Sequence, residues 1–182
     1  DGTTSQFSMI NSTDSTAFGS ISPSGWCYCS ATSNDIGNKA LISYGYYSWG
    51  AFQLDNLSNI QICDISTTVS GIKFGDLSIV GHIKSATSNG INNRAIFSMN
   101  NLIEYVNILT SSDGIIFGNL QTSNIHRTSV SNKTGNSAVN STGGNISSNN
   151  LEYVTISTLS NSFNFGELQV AISNRIASFS NA

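Results

Sequence analysis

The stretch Ile103-Glu104-Tyr105-Val106-Asn107-Ile108, followed by Leu109-Thr110-Ser111-Ser112-Asp113-Gly114-Ile115-Ile116 and then Phe117-Gly118-Asn119-Leu120, decides how the chain is read. It opens on an alternating segment of β-branched and aromatic residues. It closes on an aromatic residue, a glycine, a spacer and an aliphatic residue. Period-2 alternation with Gly, Asn and Ser punctuation predicts strands. A glycine inside a strand predicts a bulge or a close approach of another backbone.

Working outward, the same landmarks recur. Phe-Gly-x-aliphatic stands at Phe18-Gly19, Phe74-Gly75, Phe117-Gly118 and Phe165-Gly166. Ser-Asn follows 14 or 15 residues after each Phe, at Ser33-Asn34, Ser88-Asn89, Ser131-Asn132 and Ser180-Asn181. An alanine comes 7 residues after the serine, at Ala40, Ala95 and Ala138, preceded by Asn38, Asn93 and Asn136. The alternating segment begins 14 residues before each Phe, at Ile60, Ile103 and Leu151, and in the first copy at Thr4. Four landmarks at nearly fixed offsets make an internal repeat.

Counted from one Ser-Asn to the next, the units are 33–87, 88–130 and 131–182, with 1–32 as a partial unit. Each unit reads as four strands: one around the alanine, the alternating segment, the Phe-Gly strand, and one before Ser-Asn, as in Arg175 to Phe179. Ser-Asn itself suits a turn, because asparagine tolerates the left-handed region. Four-strand units of this length predict an all-β fold, a β-propeller-like array of four-stranded antiparallel blades, three full and one partial. The alternative is a β-solenoid. Closure avoids open sheet edges. Either three full blades and a three-stranded one close a four-bladed ring, or the open ends pair with neighbouring chains.

Length varies in one place only. Ala40 to Ile60 is 20 residues, Ala95 to Ile103 is 8 and Ala138 to Leu151 is 13. Variable loops on a rigid scaffold are where binding sits. The longest carries Tyr44, Tyr46, Tyr47, Trp49 and Phe52. Such rings stack on sugars or anchor an interface, and they also fill cores.

Composition excludes several classes. Among 182 residues there are 33 Ser, 15 Thr and 23 Asn, but only 7 Lys+Arg and 10 Asp+Glu. A net charge of −3 with scattered cations argues against a nucleic-acid partner. No apolar run is long enough for a membrane span. The chain opens on Asp1 without a signal-peptide pattern, so it reads as a processed product or a fragment. Cys27, Cys29 and Cys63 are too few for a disulfide framework and read as small buried hydrophobes. With His82 and His126 the only histidines, no metal site and no cofactor are expected. Paired carboxylates would be needed to cut a polysaccharide. Glu104 and Glu152 hold equivalent repeat positions and read as a solvated strand face, so no catalytic residue is assigned.

The unit from Ser88 to Asn132 resembles the kelch-like repeats of structural proteins of tailed bacteriophages. Arg94-Ala95, Ile103-Glu104-Tyr105 and Leu151-Glu152-Tyr153 fit that pattern best, and the resemblance spans essentially the whole chain. Gly-Gly after the first strand appears only at Gly143-Gly144, and Ile60-Gln61-Ile62 departs from Ile-Glu-Tyr. The resemblance implies a non-enzymatic virion component, a tail appendage or head decoration, whose partners are other virion proteins or its own copies. The rival expectations are an adhesin that grips a host-surface glycan through the aromatic loop, and an enzyme acting on surface polysaccharide. A repeat type alone fixes no function.

Overall fold

The structure is a computed structural model, and it describes residues 3–6, 16–20, 26–27, 29–34, 38–44, 46–49, 52–56, 58–67, 69–81, 84–132, 136–143 and 147–172. Over these residues the chain is all-β, in antiparallel sheets, with one short 3-10 turn at Gly90–Asn92. Serine-, threonine- and asparagine-rich segments with interspersed β-branched residues favour strands and turns over helices.

A first, two-stranded module pairs β1 (Thr3–Gln6) with β2 (Thr16–Ser20). The second module has four strands in the order β4 (Ser30–Ser33), β5 (Lys39–Ser43), β8 (Asn59–Asp64) and β9 (Ile72–Asp76). The third runs β10 (Ser85–Ser88), β11 (Arg94–Asn107), β12 (Ile115–Asn124). The fourth runs β13 (Ser129–Ser131), β14 (Ser137–Ser141), β15 (Ser148–Thr155), β16 (Phe163–Ile172). In the third module β11 does the work of two strands. The Ile108 N–H donates to the Asn93 carbonyl at 2.7 Å, so the chain doubles back between them, with Asn100 at φ 54°.

The sheets of the second, third and fourth modules each begin with the strand that runs into Ser-Asn. That strand pairs forward with the alanine strand: Ser33 opposite Ala40, Ser88 opposite Ala95, Ser131 opposite Ala138. The sheets are therefore offset by one strand from units counted between Ser-Asn pairs. Arg175 to Phe179 lies outside the described residues.

The Phe-Gly element makes the expected bulge in every module. The register passes from Thr4–Gly19 to Ser5–Ala17, from Ile60–Gly75 to Gln61–Lys73, from Ile103–Gly118 to Glu104–Ile116, and from Leu151–Gly166 to Glu152–Asn164. The skipped residue is the phenylalanine each time. A bulge re-aims the side chain at the extra position, and here Phe74 and Phe117 are buried.

The core sits between successive sheets. One cluster joins Leu41, Ile60, Phe74 and Leu77 of the second module to Ala95, Phe97, Val106 and Ile108 of the third. The other joins Ile96, Ile103, Phe117 and Leu120 of the third to Ala138, Val154 and Ile156 of the fourth. Neighbouring positions of β11 therefore face opposite seams, as strand alternation requires.

The aromatic stretch is not an irregular loop. It folds as β6 (Tyr46–Trp49) and β7 (Phe52–Asn56), which join β3 (Trp26–Cys27) in a separate three-stranded sheet. Its tyrosines, tryptophan and phenylalanine favour extended backbone, which explains the difference.

Candidate functional site: the seams between modules

Every seam is built from the same groups. The residue after each of the first three Phe-Gly pairs donates its N–H to a side chain of the next module: Ser20 to Ser70 Oγ at 3.4 Å, Asp76 to Asp113 Oδ1 at 2.9 Å, Asn119 to Asn161 Oδ1 at 2.9 Å. The carbonyls of these residues accept from Gly71 at 3.1 Å, Gly114 at 2.8 Å and Ser162 at 2.8 Å. The bulge glycine lets the backbones come that close. A Cβ on Gly75 would overlap the Ser112 carbonyl, one on Gly118 the Ser160 carbonyl, and one on Gly19 would lie 3.2 Å from the Val69 carbonyl.

Asparagines form a second line of contacts. Asn38, Asn93 and Asn136 have φ of 50°, 56° and 56°. The left-handed role expected of the Ser-Asn asparagine falls to them. Asparagine fits because its short polar side chain tolerates that region. The Ser-Asn asparagines act instead through their side chains. Asn34, Asn89 and Asn132 accept through Oδ1 from the N–H of Lys39, Arg94 and Ser137, each at 2.9 Å. Two of them also reach across: Asn34 Nδ2 donates to Asn93 Oδ1 and Asn89 Nδ2 to Asn136 Oδ1, both at 3.0 Å.

The glutamates are not a solvated face. Glu104 is 0 % and Glu152 2 % exposed. Glu104 accepts from the Ser78 and Ile79 N–H groups, both at 3.1 Å, and from Ser78 Oγ at 2.7 Å. Glu152 accepts from the N–H of Gln121 at 2.8 Å and of Thr122 at 3.1 Å, and from Ser162 Oγ at 2.6 Å. Each carboxylate thus ties the tail of the preceding module's Phe-Gly strand across a seam. A buried carboxylate is tolerable only when so satisfied.

Each of these two modules also buries a cation. Lys84 donates to the carbonyls of Tyr44 at 2.7 Å and Gly81 at 2.6 Å. Burial lowers its pKa to about 8, with Glu104 and Cys29 opposing the shift. Arg127 donates to the carbonyls of Asn100, Asn124, Ser141 and Thr122. Burial lowers its pKa too, against the pull of Glu152. Counted four residues before Ser-Asn, the equivalent of Lys84 and Arg127 in the second module is Cys29, and the equivalent of Glu104 and Glu152 is Gln61. Modules with the carboxylate have the cation, and the module with neither is neutral at both places. That covariation inside the repeat is the signal by which the sequence could have exposed the buried role.

The strands β4, β10 and β13 lie side by side. Between them run two polar clefts of about 260 and 280 Å³. One is lined by Cys29, Lys84 and Arg127 with the small residues that follow each of them. Ser129 Oγ donates to Ser85 Oγ at 2.7 Å across this row.

Of the aromatic candidates, Tyr44 is fully buried, and burial raises its hydroxyl pKa above the ordinary tyrosine value. It belongs to the interior, beside the Lys84 cage. The side chains of Tyr46, Tyr47, Trp49 and Phe52, and of Phe18, lie outside the described residues. Cys63 is half-buried, its thiol pKa raised by that burial, and Cys29, expected among the buried hydrophobes, is exposed. Phe165 departs from its counterparts: it is 60 % exposed, where Phe74 and Phe117 are buried. Among the described residues no group of three acidic, histidine or cysteine side chains is placed to hold a metal ion. No protein-family model matches the chain, and no curated protein matches it.

Proposed function

We propose that this chain is a non-enzymatic structural protein, a component of a tailed-bacteriophage virion or its appendages, whose modules are the blades of a propeller-like array and whose work is assembly. The observation that carries this reading is the seam, made three times over from the same backbone pair. A surface of hydroxyl and amide groups with 9% charged residues suits close packing of many copies. The two glutamates at equivalent strand positions are fully engaged by N–H and hydroxyl donors, which is structural employment. An antibody to the chain, applied to purified tailed particles from lysates that contain it, tests the reading. Label on intact particles is the expected outcome. Label confined to the particle-free supernatant rejects it.

The second reading is an adhesin that recognises a host-surface glycan. It is favoured by the inserted β6–β7 hairpin, which among the described residues adds an aromatic-rich sheet to one module. It requires glycan affinity that drops on Tyr47→Ala or Trp49→Ala in an array measurement.

A further inference from the structure

We propose that the cleft where β4, β10 and β13 begin binds a small oxyanion, a phosphate or the carboxylate of an acidic sugar. The inference stands apart from the assembly reading, since it concerns one site within one chain.

The repeat gathers the charges. Cys29, Lys84 and Arg127 each stand four residues before Ser-Asn. Their strands lie side by side, so one position of three modules lines one cleft of about 260 Å³. The position after it brings the hydroxyls of Ser30, Ser85 and Thr128 to the same walls. No carboxylate is among the described residues that line the cleft. Lys84 and Arg127 are each 4 % exposed. Both donate to backbone carbonyls, which fix the cations in place and carry no net charge. Glu104 and Glu152 attract them from a distance, but the carboxylate oxygens are engaged by N–H and hydroxyl donors across the seams. Burial lowers the pKa of both cations in spite of those glutamates, so the charges are held without being fully compensated. An anion brought beside them supplies what the burial took away.

The hydroxyls point to the same class of ligand. In the third module Ser85 and Ser98 stand opposite each other, and their hydroxyls bond at 2.6 Å. Ser30 and Ser43 are the same pair in the second module. There each Oγ is buried without a hydrogen-bond partner. A buried hydroxyl left unpaired is costly and calls for an acceptor or a donor. Ser30 stands on the wall of the cleft, and its O–H donates to an oxyanion lodged there. Hydroxyl donors beside a lysine and an arginine, with no acid among them, form a set that favours oxyanions. A neutral polyol would satisfy the hydroxyls and leave the cations as they are.

Isothermal titration calorimetry of the full chain tests this, with inorganic phosphate and glucuronate as probes, glucose as the neutral control, and chloride matched throughout. Saturable binding of one phosphate or one glucuronate per chain is the expected result, and the tighter of the two names the source of the oxyanion. Cys29 is exposed and lines the cleft, so a substitution there changes the charge of the site with little burden on the fold. Cys29→Asp should weaken binding at least about tenfold. Cys29→Lys, which completes the set of three cations, should tighten it. Both should keep the far-ultraviolet circular dichroism of the wild type. The absence of saturable binding by either anion overturns the proposal. So does glucose that binds as tightly as the anions, or a folded Cys29→Asp chain that binds like the wild type. Should Cys29→Asp fail to fold, the lysine variant decides: tighter binding upholds the site, and unchanged or weaker binding overturns it.

Discussion

At the scale of single residues, buried charge is the feature that most constrains the molecule. Glu104 receives three donors, and Lys84 in the same module donates to two carbonyls. Glu104 also bears on Lys84 through space, so removing one of the two buried charges leaves the other less compensated in a poorly solvated place. Glu104→Gln is expected to cost about 3 kcal/mol in urea unfolding. The double change with Lys84→Met should cost clearly less than the sum of the singles. Gln61→Glu should also destabilise, because by offset from Phe18 the donors would be Ser22 and Pro23, and proline has no N–H. The lysine sets a pH dependence of definite sign. Its folded pKa of about 8 lies below the ordinary 10.5, so the unfolded chain binds the extra proton between those values. Stability contributed at Lys84 therefore rises as pH climbs through that window. Wild type should gain on the order of 2 kcal/mol relative to Lys84→Met between the two ends of it. The raised pKa values of Cys63 and Tyr44 act in the opposite direction, but they are common to both proteins and cancel in the difference. Little of this was legible in the sequence. A glutamate on an alternating strand looks solvated by its type, and only the neighbouring sheet supplies the donors that make burial tolerable.

At the scale of the element, the Phe-Gly bulge was the most legible part of the fold, because its requirement is local. A glycine in a strand announces a bulge or a close backbone, and this one serves for both. Phe74→Ala and Phe117→Ala should each cost about 3–5 kcal/mol, and Phe165→Ala, at an exposed copy of the same position, less than about 1 kcal/mol. Equal costs at the three sites would mean that the seams contribute nothing to the difference. The asparagine turns separate two effects in the same way. Asn93→Gly keeps the left-handed φ and loses the bond from Asn34, whereas Asn93→Ala loses both. The alanine variant should be the less stable of the two by about 1 kcal/mol in the same urea assay. The sequence misassigned this turn because both asparagines suit left-handed backbone. Which one adopts it depends on where the strand pairing ends, and that is set by the opposite strand. The aromatic stretch was misread for a related reason: its partner strand Trp26–Cys27 lies far away in sequence, and no local pattern announces it.

At the scale of the whole molecule, the modules behave as links in series, the second and third joined to a neighbour by a seam on either side. Stability in such an array is roughly a sum of module terms and nearest-neighbour terms. A wedge in one seam should therefore be felt mainly on the side that has no other support. Gly118→Val is such a wedge, since its side chain would enter the space of the Ser160 carbonyl. It forces apart Phe117 and Leu120 on one side and Ala138, Val154 and Ile156 on the other. The third module keeps its second seam, through Ala95, Phe97, Val106 and Ile108. Among the described residues the fourth makes no second seam, and Phe165 on its other face is 60 % exposed. Hydrogen exchange should then show amide protection lost across β14 and β15 while β5 and β8 keep theirs, and urea unfolding should broaden into two steps. A uniform loss of protection with a single sharp transition would mean that the sheets fold as one unit and that the line-of-links description fails.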